Sequence, residues 1–178
     1  MTNTINFDLT VTFMRLDNYR EISMNIGEIA DDQDGALDCF YEFMEGHDFE
    51  LVDIECEQFG FSSSDCWTLE KAMETYRTIC EIIDEYDDDA PAIFEAIDQH
   101  RSRFDSISEI YEAHEFRIYS ECYTMADVAF EIVEECEMLE SMPESLRNYF
   151  DYAAYGRDLD NEGNFYDTGN GIFVEMIR

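Results

Sequence analysis

EFRIYSECYTMADVAFEIVEECEMLES, residues 115–141, changes its hydrophobic period part-way along. Over residues 115–122 apolar and polar side chains alternate, the period of a half-buried strand. From Met125 onward Val128, Ala129, Ile132, Val133, Cys136 and Leu139 form an apolar stripe at helical spacing, and Thr124 is placed to cap it. A strand feeding a long acidic helix, predicted from Thr124 to about Ser141, makes this part of the chain an α+β unit.

The other face of that helix is acidic. Asp127, Glu131, Glu134, Glu135 and Glu137 lie mostly off the stripe, Glu140 and Glu144 continue beyond it, and no base occurs between Arg117 and Arg147. A charge run is ordinarily a solvated face. Here, however, Asp127/Glu131 and Glu131/Glu135 are like-charge pairs four residues apart, each costing about 0.2–0.5 kcal/mol where a Glu/Lys pair would stabilise. The pattern recurs in EIIDEYDDDA, residues 81–90, where Asp84, Glu85, Asp87, Asp88 and Asp89 gather without a base.

Over the whole chain of 178 residues, 44 Asp and Glu face 10 Lys and Arg, for a formal charge of −34. Solubility needs a magnitude of only about 2–8 in a small domain, and self-repulsion at this density opposes compaction. Lys71 is the single lysine. Binding to DNA, RNA or an anionic membrane is disfavoured, because phosphate contacts require Lys and Arg; a cationic surface is the favoured partner. At 46% hydrophobic and 15% aromatic residues the chain has the means to build a core.

Outward from residues 115–141, three segments are predicted. Residues 1–61 form an N-terminal α+β domain: strand-like alternation over 5–13 (Ile5, Phe7, Leu9, Val11, Phe13), again at Ile22, Met24 and Ile26, a helix over Ala36–Met44 and a strand near Phe49–Glu57. FGFSSSD, residues 59–65, reads as a loop. Residues 62–113 form a central helical domain: one helix over Thr68–Tyr86, one capped by Asp89 with Pro91 in its first turn and running to about His100, and a short one opened by the Ser106/Glu109 capping box. Residues 114–178 form a C-terminal α+β domain, with a helix from Pro143 through about Tyr155 and a closing hairpin turning at Asn170 and Gly171.

Chemistry-bearing motifs are sparse. His114-Glu115 opens an H-E-x-x-H pattern, but the fifth residue is Ile118. Neither a glycine-rich phosphate loop nor a nucleophile elbow occurs, so no enzyme, cofactor or metal is expected. Asp158, Asp160, Glu162 and Gly163 approach the start of a calcium loop whose twelfth position is Gly169 rather than Glu. The six cysteines contain no C-x-x-C pair and are expected as buried free thiols. The N-terminus lacks a basic, apolar leader and no apolar run approaches a membrane span, so a cytoplasmic location is expected.

PESLRNYFDYAAYGRDLD, residues 143–160, with the closing Gly171, Ile172 and Phe173, resembles the ArdA antirestriction proteins. The resemblance is specific over 143–178; upstream it rests on element order and acidity. It implies an elongated, homodimeric mimic of bent B-form DNA, built of three small domains, that occupies the DNA-binding groove of Type I restriction-modification enzymes. It also implies that the antirestriction motif falls on about Glu131–Met142, over the base-free helix. Family members often carry glycines ahead of the proline, where this chain has Glu137 and Glu140.

Charge arithmetic is compatible with this. Eight acids from Glu121 to Glu144 on one straight helix would give about one charge per 4–5 Å at 1.5 Å per residue, against one per about 1.7 Å of duplex axis. Two chains at −34 each carry −68, the phosphate charge of about 115 Å of duplex. Arg147, Tyr149, Tyr152, Tyr155 and Arg157 are the expected dimer contact, with the arginines paired to carboxylates such as Asp151 or Asp158; packing within the domain accounts for them equally well. A DNA mimic aimed at another target such as a CRISPR effector, an acidic calcium-binding protein, and a salt-adapted soluble protein are the alternatives.

Overall fold

A computed structural model describes residues 7–30, 32–102 and 105–177, which form a mixed α+β structure. The chain divides into two compact units, Met1–Ala113 and His114–Arg178.

The first unit opens with an antiparallel sheet, order β2-β1-β3: β1 Thr10–Arg15, β2 Glu21–Asn25 and β3 Phe49–Glu55. Alternation puts Val11 and Phe13 on the buried face. Phe13, Phe49 and Phe40 of helix α2 (Gln33–Met44) meet edge to face at 5.1–5.7 Å between ring centroids, a geometry that aligns ring edges with ring faces. The expected first strand begins later: Phe7 and Leu9 are buried ahead of β1, and Ile5 lies outside the described residues. Ile26 is likewise not a strand residue. It starts a single turn, α1 (Ile26–Ile29), because Asn25 accepts the Glu28 N–H and caps it.

The predicted loop at 59–65 contains another turn, α3 (Ser63–Cys66). The Asp65 carboxylate accepts the Ser62 N–H at 2.8 Å, which fixes the start of that turn. Helix α4 (Leu69–Tyr86), the longest described, is capped by Thr68 and buries Leu69, Ala72, Met73, Ile79, Ile82 and Ile83 along one stripe. A 3-10 turn at Asp87–Asp89 leads into α5 (Ala90–His100), and the Ser106/Glu109 capping box opens α6 (Ile107–Glu112).

In the second unit, β4 (Phe116–Ser120), β6 (Ile172–Met176) and β5 (Phe165–Asp167) form an antiparallel sheet in that order. Helices α7 (Met125–Glu135) and α9 (Tyr152–Glu162) pack together over a core of Tyr119, Cys122, Val128, Ala129, Leu159, Phe165 and Phe173. Gly156 allows the approach: a Cβ there would stand 2.3 Å from the Met125 carbonyl oxygen.

Two expected helices are corrected here. Helix α7 stops at Glu135 instead of running to Ser141, and at 11 residues it is shorter than α4. Glu137 turns left-handed (φ 51°), the Met138 N–H reaches the Val133 carbonyl and the Glu137 N–H that of Glu134, the hydrogen-bond pair that closes a helix at a left-handed residue. This turn also brings Leu139 back into a buried position. The helix expected from Pro143 through Tyr155 is two: α8 (Glu144–Arg147), then α9, restarted by Asp151, whose carboxylate accepts the Ala154 N–H at 2.9 Å. Asp158, Asp160 and Glu162 therefore lie on α9, with Gly163 as its C-cap, and form no calcium-type loop.

Candidate functional site

The acids of the first group belong to the first unit. Asp84 and Glu85 are exposed on the last turn of α4, Asp87 and Asp88 are exposed in the 3-10 turn, and Asp89 is half-buried at its end. Nothing in the local geometry draws them inward, because the buried stripe of α4 ends at Ile82 and Ile83.

The second group lies on α7, its capping turn and α8. Glu131, Glu134 and Glu135 are exposed on α7, Glu137 and Glu140 on the turn, and Glu144 in the first turn of α8. Glu131 and Glu135 stand one turn apart, about 6 Å along the axis. Because α7 stops at Glu135, the later acids do not extend a straight row, and the single-line spacing expected from the sequence does not apply. Glu134, Glu137 and Glu140 instead rim a concavity of about 310 Å³ with Val133, Leu139, Arg147 and Tyr152. Asp127 differs from the others: its Oδ2 accepts the Tyr123 and Thr124 N–H groups and the Thr124 hydroxyl at 2.8–3.0 Å. It is the capping-box partner of α7 and is half-buried.

Several bases are spent inside the fold. Arg15, buried at the end of β1, pairs with Asp17 at 2.7 Å and Glu45 at 3.2 Å and donates to the Phe43 carbonyl. Lys71 bridges Glu74 and Glu109, each at 3.1 Å. Arg101 pairs with Asp65 and Asp98. Burial alone would lower the Arg101 guanidinium, but its hydrogen bonds to Asp65 and Asp98 and the charges of both carboxylates together outweigh that and hold it above its ordinary value. Arg20 lies over the Phe43 ring, 5.5 Å from its centroid. The acids of α7, its capping turn and α8 take no ion pair from these side chains.

The residues expected at a dimer contact take varied positions. Tyr149 is 83% exposed, whereas Tyr152 and Tyr155 are half-buried against Phe150, and Tyr152 also meets Phe130. Arg147 does not take up Asp151 or Asp158. It donates through Nε to the Met142 carbonyl at 3.0 Å and through Nη2 to that of Glu140 at 2.7 Å. Arg157 is exposed and forms no ion pair among the described residues.

Sequence reasoning missed the Asp65–Arg101 pair and the left-handed Glu137. Ser62-x-x-Asp65 is a capping spacing and was the available signal for the first; the second had none in a helix-favouring run of Glu, Cys and Met. The cysteines are free, as expected, but only Cys66 and Cys122 are buried; Cys39 and Cys136 are exposed. Burial was expected from the apolar character of the thiol, but Cys39 is exposed on α2, and Cys136, expected on the apolar stripe of α7, is exposed as its C-cap because the helix stops at Glu135. Burial pushes the Cys66, Cys80 and Cys122 thiols up, away from the reactive thiolate. Among the described residues no His/Cys/Asp/Glu group is arranged to hold a metal, and no helix is long and apolar enough to cross a membrane.

An α+β chain this rich in acids, with most of them exposed, is a protein suited to meeting a cationic surface. No curated protein matches it. A protein-family model described as antirestriction protein (ArdA) matches residues 22–174, most of the chain, and the chain belongs to that family. It is a family of inhibitors and not of enzymes; membership implies an antirestriction function and interaction with restriction enzymes.

Proposed function

We propose that this protein inhibits Type I restriction-modification enzymes by mimicking DNA and occupying their DNA-binding groove. The observation that carries the reading is the base-free stretch between Arg117 and Arg147, whose exposed carboxylates Glu131, Glu134, Glu135, Glu137, Glu140 and Glu144 stand on α7, its cap and α8. The groove of an enzyme that binds duplex DNA is lined with Lys and Arg, and these exposed carboxylates offer those cations alternative partners. Family membership supports a restriction enzyme as the target.

In this reading the segments 1–61, 62–113 and 114–178 are three domains, and Asp84, Glu85, Asp87, Asp88 and Asp89 are further phosphate mimics. The active form is a homodimer in the host cytoplasm, joined through the stretch that contains Arg147, Tyr149, Tyr152, Tyr155 and Arg157. Aromatic bodies with polar tips and arginines suit such a contact.

Because the charge is dispersed, the test is cumulative neutralisation. Glu134→Gln alone should change inhibition of DNA cleavage less than about twofold, while Glu131, Glu134, Glu135 and Glu140 all changed to Gln should weaken it at least about tenfold. Asp127 is left intact because it caps α7. Loss of inhibition from neutralising one of these carboxylates in a folded chain would mean a discrete site and end the mimicry reading.

A further inference from the structure

We propose that Arg147 is a positioning residue for inhibition: its guanidinium holds the turn after α7 in the shape that presents Glu137 and Glu140. The proposal rests on the functional reading above and names the part of the chain that fixes the geometry of this acidic surface.

The observations are geometric. Beyond Glu135 the chain has no regular structure until α8, and short-range backbone bonds shape it: Glu137 N–H to Glu134, Met138 N–H to Val133, Glu140 N–H to Glu137 and Met142 N–H to Leu139. Glu137 occupies a left-handed conformation that a side chain disfavours. Something must hold the turn. Leu139, buried, anchors its middle. Arg147 anchors its far side, because Nε and Nη2 reach the carbonyls of Met142 and Glu140, and these are charge-assisted bonds from a rigid fork that a lysine cannot reproduce. Arg147 and the carboxylates of Glu137 and Glu140 rim the same concavity.

The placement is otherwise hard to understand on charge alone. A base within an acidic display reduces the field it offers a cationic groove. Removing it takes the formal charge from −34 to −35, so a mimic acting through net field would inhibit as well or better without it. A mimic acting through fixed carboxylate positions would inhibit less.

Two readouts on the full-length chain decide the matter: inhibition of a Type I enzyme's DNA cleavage, and amide hydrogen exchange at Glu140 and Met142. Arg147→Met should accelerate exchange at both amides about tenfold, leave Val128 and Val133 unchanged, and weaken inhibition about tenfold in spite of the added negative charge. Arg147→Lys keeps the charge and should fall between Met and wild type in both readouts. In the Arg147→Met background, changing Glu137 and Glu140 to Gln should weaken inhibition less than the same change in the wild type, since the two act through one geometry.

Undiminished inhibition by Arg147→Met overturns the proposal, whatever the exchange shows. Weaker inhibition with unchanged turn exchange overturns it too, because Arg147 would then act by direct contact. A wild-type chain that does not inhibit ends the functional reading and the functional half of this proposal together, and that result appears before any substitution is made.

Discussion

Arg101 holds Asp65 through two parallel hydrogen bonds, Nη1 to Oδ1 at 2.5 Å and Nη2 to Oδ2 at 2.6 Å, with both side chains removed from solvent. Asp65 also accepts the N–H groups of Ser62 and Ile107, and Arg101 donates to the Asp105 carbonyl. One ion pair thereby ties α3, the end of α5 and the start of α6. In a chain this acidic it is notable that a scarce base is buried to hold a fold.

Removing one partner of a buried pair leaves a charge with no compensation. Arg101→Met should therefore destabilise the first unit by about 3–5 kcal/mol. Urea unfolding followed by far-ultraviolet circular dichroism measures this, and a loss below about 1 kcal/mol would show that water or rearrangement rescues Asp65.

Glu137→Gly should stabilise the second unit by about 0.5–1 kcal/mol, because glycine accepts the left-handed C-cap conformation without steric penalty. Glu137→Ala keeps that penalty and should not. If both substitutions destabilise equally, the side chain makes a contact that matters more than the backbone.

Acid should weaken the first unit through two carboxyls in particular. The Arg15 hydrogen bond holds Asp17 below its ordinary range, and the Ser106 N–H, then Lys71, hold Glu109 below its own. A depressed folded value means stabilisation that is fully present above the unfolded carboxylate pKa and disappears as pH falls through the folded one. Asp17→Asn with Glu109→Gln should cost stability at neutral pH and flatten the decline below about pH 4. Parallel acid limbs in wild type and variant would contradict this.

Much of this was readable in the sequence, for physical reasons that differ by element. Helix α4 was legible because its stripe is long and Thr68 caps it; the Ser106/Glu109 box marked α6, and alternation marked β4. The end of α7 was not legible, since nothing in Glu-Cys-Glu-Met forbids a helix and the stop is imposed by Leu139 turning inward. Nor was the partner of Arg147, because a backbone carbonyl leaves no mark on residue identity. The acidic surface was visible as composition, but its fold-back after Glu135 was not.

Assembly can be tested at Tyr149, which is 83% exposed next to α8 and has no packing role to lose. Tyr149→Glu should give monomers with native circular dichroism at micromolar concentration where the wild type sediments as a dimer. A monomeric wild type would contradict the two-fold assembly, and a dimeric variant would move the contact away from Tyr149.

The central claim is occupancy of a DNA groove, and its most direct test is the affinity of the full chain for a purified Type I enzyme, titrated against specific duplex DNA. The account predicts that the apparent Kd rises in proportion to duplex concentration, as it must when two ligands share one groove. An affinity unchanged by saturating duplex would contradict it.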